Sequence, residues 1–175
     1  MNKKNLMMTV LSLLFVYGCA TPAKKWNMMY DSGNSLSYDP ALKNEVEVEK
    51  ASGGKGTNPL WTSEISTEDF AEAVRMSLNN EGLLSDDGRY KLQIKMEETV
   101  QPLFGLDLTV VTRVHYILTD HLGARVVFDE TIVAPYTATV GDAFAAVKRL
   151  RLANEGSGKE NIRQFLEGLS KLQLN

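Results

Sequence analysis

The chain predicts an α+β two-layer sandwich: an antiparallel sheet of about four strands with two helices packed on one face. Three observations carry this. Residues 90–97 alternate strictly, with Tyr90, Leu92, Ile94 and Met96 apolar and Lys91, Gln93, Lys95 and Glu97 polar, the mark of a strand with one buried and one wet face. Two further apolar-patterned strands follow, joined by a tight-turn sequence, Asp120-His-Leu-Gly123. Helical patterns with apolar stripes flank this meander, and those stripes need one sheet face to cover.

In chain order, Glu45-Val-Glu-Val-Glu49 alternates like a short edge strand with a charged outer face. Ser52 to Asn58 is a glycine-rich turn, and Leu60 to Ile65 is a second short strand candidate. Ser66-Thr-Glu-Asp69 opens a helix: the hydroxyl caps free N–H groups and the acids suit the positive end of the helix dipole. Phe70, Val74 and Leu78 recur every four residues beside Ala71, and Gly82 closes the helix. After the Tyr90 strand comes a turn from Gln101 to Asp107. Leu108, Val110, Val114, Tyr116 and Leu118 line one side of the next strand, and Val126, Phe128 and Ile132 continue the apolar face up to Pro135. Two stripes then predict helix: Ala143, Phe144, Val147 and Leu150, followed by Ile162, Phe165, Leu166, Leu169 and Leu172. Gly156-Ser-Gly158 lies between them, at a cost of about 1 kcal/mol per glycine if the helix is continuous. The pattern permits one long helix or two short ones. The order is strand, helix, three strands, helix.

The first 18 residues read as a leader. Lys3 and Lys4 precede an apolar run from Leu6 to Tyr17. A membrane span needs about 20 residues; this shorter run suits the apolar core of a signal peptide. Cys19, the single cysteine, closes the run after the small residue Gly18, and Thr21, Pro22, Lys24 and Lys25 follow. The segment resembles a lipobox, with Val16 at −3, Gly18 at −1 and Cys19 at +1. It departs from that pattern at Tyr17, where a small residue is usual. The resemblance makes residues 1–18 a lipoprotein signal peptide and Cys19 the lipid-attachment residue. Ala20, in place of aspartate, implies export to the outer membrane, with the domain facing the periplasm. Residues 19–44, rich in Pro, Asp, Asn and Ser, read as a lipidated tether with Met28, Met29 and Tyr30 as apolar exceptions. A flexible tether of that length spans about 25–30 Å. Residues 45–175 then form one domain.

The formal charge is −3, and loss of Lys3 and Lys4 with the leader takes it to −5. Such a chain lacks the clustered cations that phosphate contacts require, so nucleic acid is not an expected partner. With Cys19 acylated, no thiol remains for a disulfide or a metal. Gly53-Gly-Lys-Gly-Thr57 and Gly156-Ser-Gly-Lys159 do not fit a phosphate loop, which needs adjacent Gly-Lys-Ser/Thr between strand and helix. His115 and His121 are the two histidines. Meeting an acid such as Asp107 or Asp120 around a metal is one route to chemistry for them, and a surface histidine without a role is the commoner state. No Gly-x-Ser-x-Gly elbow is present. The expectation is no catalytic residues, no metal and no cofactor. Two places offer partner contact: Leu103 and Phe104 at the tip of the 101–107 turn, as exposed apolar groups, and the basic residues Lys148, Arg149 and Arg151, facing anionic lipid or pairing with Glu155.

Asn58-Pro-Leu-Trp-Thr-Ser63, Gln101-Pro-Leu-Phe-Gly-Leu-Asp107 and Arg151-Leu-Ala-Asn-Glu-Gly156 together resemble a family of small uncharacterised proteobacterial lipoproteins. Some members carry the name of a sugar-nucleotide acyltransferase, but the six-residue apolar repeat of those β-helical enzymes is missing from this chain. The element order is similar to that of LptE, a lipopolysaccharide-assembly lipoprotein, a likeness of topology that carries no residue across. A lipid anchor, a tether, a compact domain and no catalytic set lead to the expectation of a non-enzymatic outer-membrane lipoprotein whose domain binds an envelope protein complex or lipid. The reading set against it is a periplasmic hydrolase or transferase with a dispersed site near His115 and Asp107.

Overall fold

The computed structural model describes residues 20–58 and 62–174; Cys19 and the leader lie outside these. A short helix α1 (Lys25–Met28) precedes β1 (Val46–Ser52), α2 (Thr67–Asn80), β2 (Tyr90–Val100), β3 (Leu108–Asp120), β4 (Arg125–Ala138) and α3 (Ala146–Leu169). The sheet order is β1-β2-β3-β4. The two-layer α+β architecture and its strand-helix order are as the sequence predicts. Within the sheet, β2-β3 and β3-β4 are antiparallel and β1-β2 is parallel, because the connection between β1 and β2 is the crossover helix α2. The candidate strand over Leu60 to Ile65 does not form: Thr62 makes an isolated bridge to Asn58, residues 63–65 are irregular, and Leu60 and Trp61 lie outside the described residues.

Ser66 caps α2 by accepting from the Asp69 amide at 3.0 Å. Leu83 and Gly82 donate to Leu78 and Asn79, the paired bonds that close a helix. The strand β4 passes through Pro135 and ends at Ala138. It lies at the sheet edge, where a missing N–H breaks no ladder. Val126 is exposed, because the β3-β4 register shifts beside it, and the buried face of β4 is Phe128, Ile132, Ala134 and Ala138.

Helix α3 is continuous through Gly156 and Gly158, and the reason is proximity. A Cβ at Gly156 would stand 2.3 Å from the Tyr136 ring, and one at Gly158 would stand 2.8 Å from the Met28 sulfur. The bare backbone lets α3 settle onto β3 and β4. There the Ser157 hydroxyl accepts from the Thr112 amide at 3.0 Å and donates to the Ala134 carbonyl at 2.7 Å. Asn161 donates to the Ile132 carbonyl and accepts from the Tyr116 hydroxyl at 2.8 Å. Burial raises the Tyr116 phenol well above its ordinary pKa. Further along, Phe165 stacks on Tyr116 at 4.2 Å. The small and polar residues of α3 thus continue the apolar stripe rather than interrupt it.

Residues 23–44 are not a free tether. Ala23, Met28 and Leu42 are fully buried in the core. The polar groups of this segment are matched to the domain: Lys24 and Asn27 donate to Glu155, Tyr30 to Ser77, and Ser32 and Tyr38 to Glu81. A linker-like composition conceals irregularly spaced apolar residues that each find a pocket.

Candidate functional site

The described chain begins at one end of the sandwich. That end also holds the loop 101–107 between β2 and β3, and the segment 139–145 between β4 and α3. The Thr21 carbonyl accepts from Ser63 Oγ at 2.8 Å, and the Thr21 hydroxyl accepts from Arg151 at 2.9 Å. Behind it sits a buried junction. Asn154 donates to the Ser63 carbonyl at 2.7 Å, and Gln101 donates to Asn154 Oδ1 at 3.0 Å. Thr21, the loop and the helix are therefore tied within a few ångströms of one another.

Arg149 braces the two loops. It is buried, and Nη1 donates to the carbonyls of Ala143 at 2.8 Å and Phe144 at 2.6 Å; Nη2 reaches the Gly105 carbonyl at 3.5 Å. Arg151 forms an ion pair with Glu155 at 3.5 Å, and Glu155 is itself buried against α1. The predicted basic contact surface of Lys148, Arg149 and Arg151 is accordingly corrected. Lys148 alone of the three is exposed; the two arginines turn inward because unsatisfied carbonyls and a buried carboxylate attract them.

What this end presents outward is apolar. Leu103 is 94 % exposed, Phe104 88 %, Leu106 77 % and Phe144 93 %. Leu103 and Phe104 are where the sequence places exposed apolar groups. Leu106 and Phe144 join them, and Phe144, counted from sequence in the α3 stripe, precedes the helix and points to solvent. Its consecutive apolar neighbours in sequence masked that; the signal that separates it is Gly141-Asp142, a turn that ends regular structure.

The other sequence candidates are dispersed. His115 lies on the open sheet face, paired with Asp129 at 2.6 Å, above a shallow hollow of about 140 Å³ lined by Lys50, Gln93 and Lys95. Asp107 sits eight residues earlier along the strand direction, roughly 25 Å away. His121 is in the far turn. Among the described residues no group of three or more His, Cys, Asp or Glu gathers, and no helix is long and apolar enough to cross a membrane. The glycine-rich turn after β1 packs on α2: the Gly54 amide donates to Thr67 Oγ1 at 2.9 Å, and a Cβ on Gly54 would stand 2.2 Å from the Thr67 nitrogen. Backbone therefore fills the place a phosphate would take. A cleft of about 440 Å³ between α1, β4 and α3 is lined by Asn27, Tyr136, Glu155, Lys159 and Arg163, among others. Arg163 is ion-paired there to Glu160 and Glu167.

Solved structures share this fold. A candidate lipoprotein from Caulobacter crescentus CB15 is 17 % identical, with 74 % of this chain and 90 % of that chain covered at a TM-score of 0.52. A hypothetical protein from Chlamydia trachomatis is 10 % identical, with 72 % and 96 % covered at 0.51. A minor lipoprotein from Acinetobacter baumannii is 11 % identical, with 74 % and 94 % covered at 0.50. At these identities the similarity is one of fold. No family model and no curated protein matches the chain.

Proposed function

We propose that this chain is a lipid-anchored protein of the bacterial envelope. It is acylated at Cys19, held on the outer membrane with its domain facing the periplasm, and acts without catalysis by binding an envelope protein complex or lipid. The observation that carries this is the junction of leader and fold. The basic, apolar run of residues 1–18 stands directly before Cys19 in the sequence, and Ala20, the residue after Cys19, is buried in the domain. Consecutive Cα atoms are 3.8 Å apart, so a lipid on Cys19 is joined to the domain with almost no slack. Two proteins of the same fold bear lipoprotein names, which supports the reading. The acyl chains supply the hold, each buried CH₂ contributing about 0.8 kcal/mol.

The test is Cys19→Ser in the full chain. A larger, unprocessed precursor without acyl mass is the expected product; normal processing and membrane retention would overturn the anchor. For the partner, crosslinking in intact cells with the anchor in place should trap an envelope component. If none is trapped and deletion leaves the envelope unaltered, the binding role fails.

A further inference from the structure

We infer that Leu103, Phe104, Leu106 and Phe144 form a membrane-contact surface that enters the same phospholipid leaflet as the Cys19 lipid. The inference rests on the lipoprotein reading above and deepens it. These four residues are among the five most exposed large apolar side chains of the described residues; the fifth, Leu122, is in the β3-β4 turn at the opposite end. An apolar group of this kind marks a contact surface when it is contiguous and fixed. Here Arg149 fixes it, bonding the carbonyls of Ala143, Phe144 and Gly105 from behind.

Position selects the occupant. The Thr21 carbonyl is held by Ser63, whose own carbonyl accepts from Gln101, two residues before Leu103. Cys19 precedes Ala20 directly, so the acyl chains enter the bilayer beside the 101–107 loop. A domain held that closely cannot turn this end far from the lipid. Leucine and phenylalanine side chains match the 5–10 Å depth of interfacial insertion. Lys148, exposed in the first turn of α3, is accompanied by Asp107 and Asp142 in the two loops. The contact is therefore apolar, not a response to anionic headgroups.

The experiment uses the lipidated protein in vesicles of phosphatidylethanolamine and phosphatidylglycerol. With Cys19 acylated, a nitroxide label can be placed singly at Phe104→Cys, Phe144→Cys or Leu122→Cys. Labels at 104 and 144 should be reached by dissolved oxygen and shielded from a water-soluble nickel chelate about tenfold relative to the label at 122, independently of salt, as insertion at the interface requires. Unchanged thermal unfolding confirms that each labelled variant is folded. Labels at 104 and 144 as open to nickel as the one at 122 overturn the proposal. So does shielding that appears in native membranes but not in protein-free vesicles, which would assign the surface to a protein. The mass of the N-terminal peptide separates the two readings. Lipid absent from Cys19 removes the anchor and this inference with it; exposed labels on a lipidated chain remove this inference alone.

Discussion

At the β3-β4 turn the sheet ends in a buried carboxylate. Asp120 accepts from Arg89 through two bonds of 2.8 and 2.7 Å and from the Gly123 amide at 3.1 Å, while Arg89 lies over the Tyr90 ring at 5.3 Å. At the other end Arg149 is equally central but is bonded by backbone carbonyls, with Gln101, Asn154 and Ser63 forming a second inward-facing junction. One end closes on an ion pair between the buried Asp120 carboxylate and the half-exposed Arg89. The other satisfies its buried arginine with backbone carbonyls and presents two leucines and two phenylalanines outward, beside the exposed Asp107, Asp142 and Lys148. Loops at both ends reverse the chain, so reversal alone does not demand this inversion. The membrane contact proposed above accounts for it.

Four variants sharpen or break that contrast. The largest effect is expected for Asn154→Ala, which deletes two buried hydrogen bonds, to the Ser63 carbonyl and from Gln101, and leaves a cavity beside the direct Gln101–Ser63 bond; urea unfolding should show a loss of about 3 kcal/mol. A loss below about 1 kcal/mol would mean that the two loops hold their places without the junction. Arg149→Met comes next, at about 2 kcal/mol for hydrogen bonds made by a charged donor. Limited proteolysis should then cut near Gly105 faster than in the parent chain. Equal cleavage rates would remove Arg149 as the brace.

At the opposite end, Asp120→Asn should lower Tm by a few degrees and flatten the acid limb of stability. The sign follows from Arg89, whose guanidinium holds the Asp120 carboxyl well below its ordinary value of 3.8, with the Gly123 amide adding to the effect. A group depressed in the folded state stabilises fully above its unfolded pKa. That contribution is lost as pH falls below about 4. Thermal scans from neutral to acid pH check this: parent and variant should converge at the acid end. The smallest effect belongs to Leu103→Ser combined with Phe104→Ser. These side chains touch solvent, so stability should stay within about 0.5 kcal/mol of the parent. A larger loss would mean that the loop packs on the domain rather than presenting an outward surface.

The sheet was legible because period two is hard to disguise. Tyr90 to Met96 and Leu108 to Leu118 point their apolar members one way, and the polar gap at Thr112 is where Ser157 and Asn161 meet the strand. Helix α2 was legible from its cap and four-residue spacing. In α3 the apolar stripe fails between Leu150 and Ile162, and the spacing by itself left its continuity open. Asn154, Ser157, Gly158 and Asn161 hold the same helical phase, so a stripe of small and polar residues was the available signal. Residues 19–44 read as a tether because Ala23, Met28 and Leu42 have no period. Arg149 and Arg151 read as a contact surface because sequence shows a charge but not the carbonyls and the carboxylate around it.

The sequence by itself determined the main helices and strands, their order and the apolar sheet face, because each is a local property of composition and period. Tertiary structure decided the rest. It ran α3 through two glycines, where only a bare backbone clears Tyr136 and Met28. It drew residues 23–44 into the core, turned two arginines inward, and brought Leu103, Phe104, Leu106 and Phe144 to the end where Thr21 meets Ser63 and Arg151. Those outcomes depend on which atoms stand opposite one another across distant parts of the chain, and no local pattern encodes that.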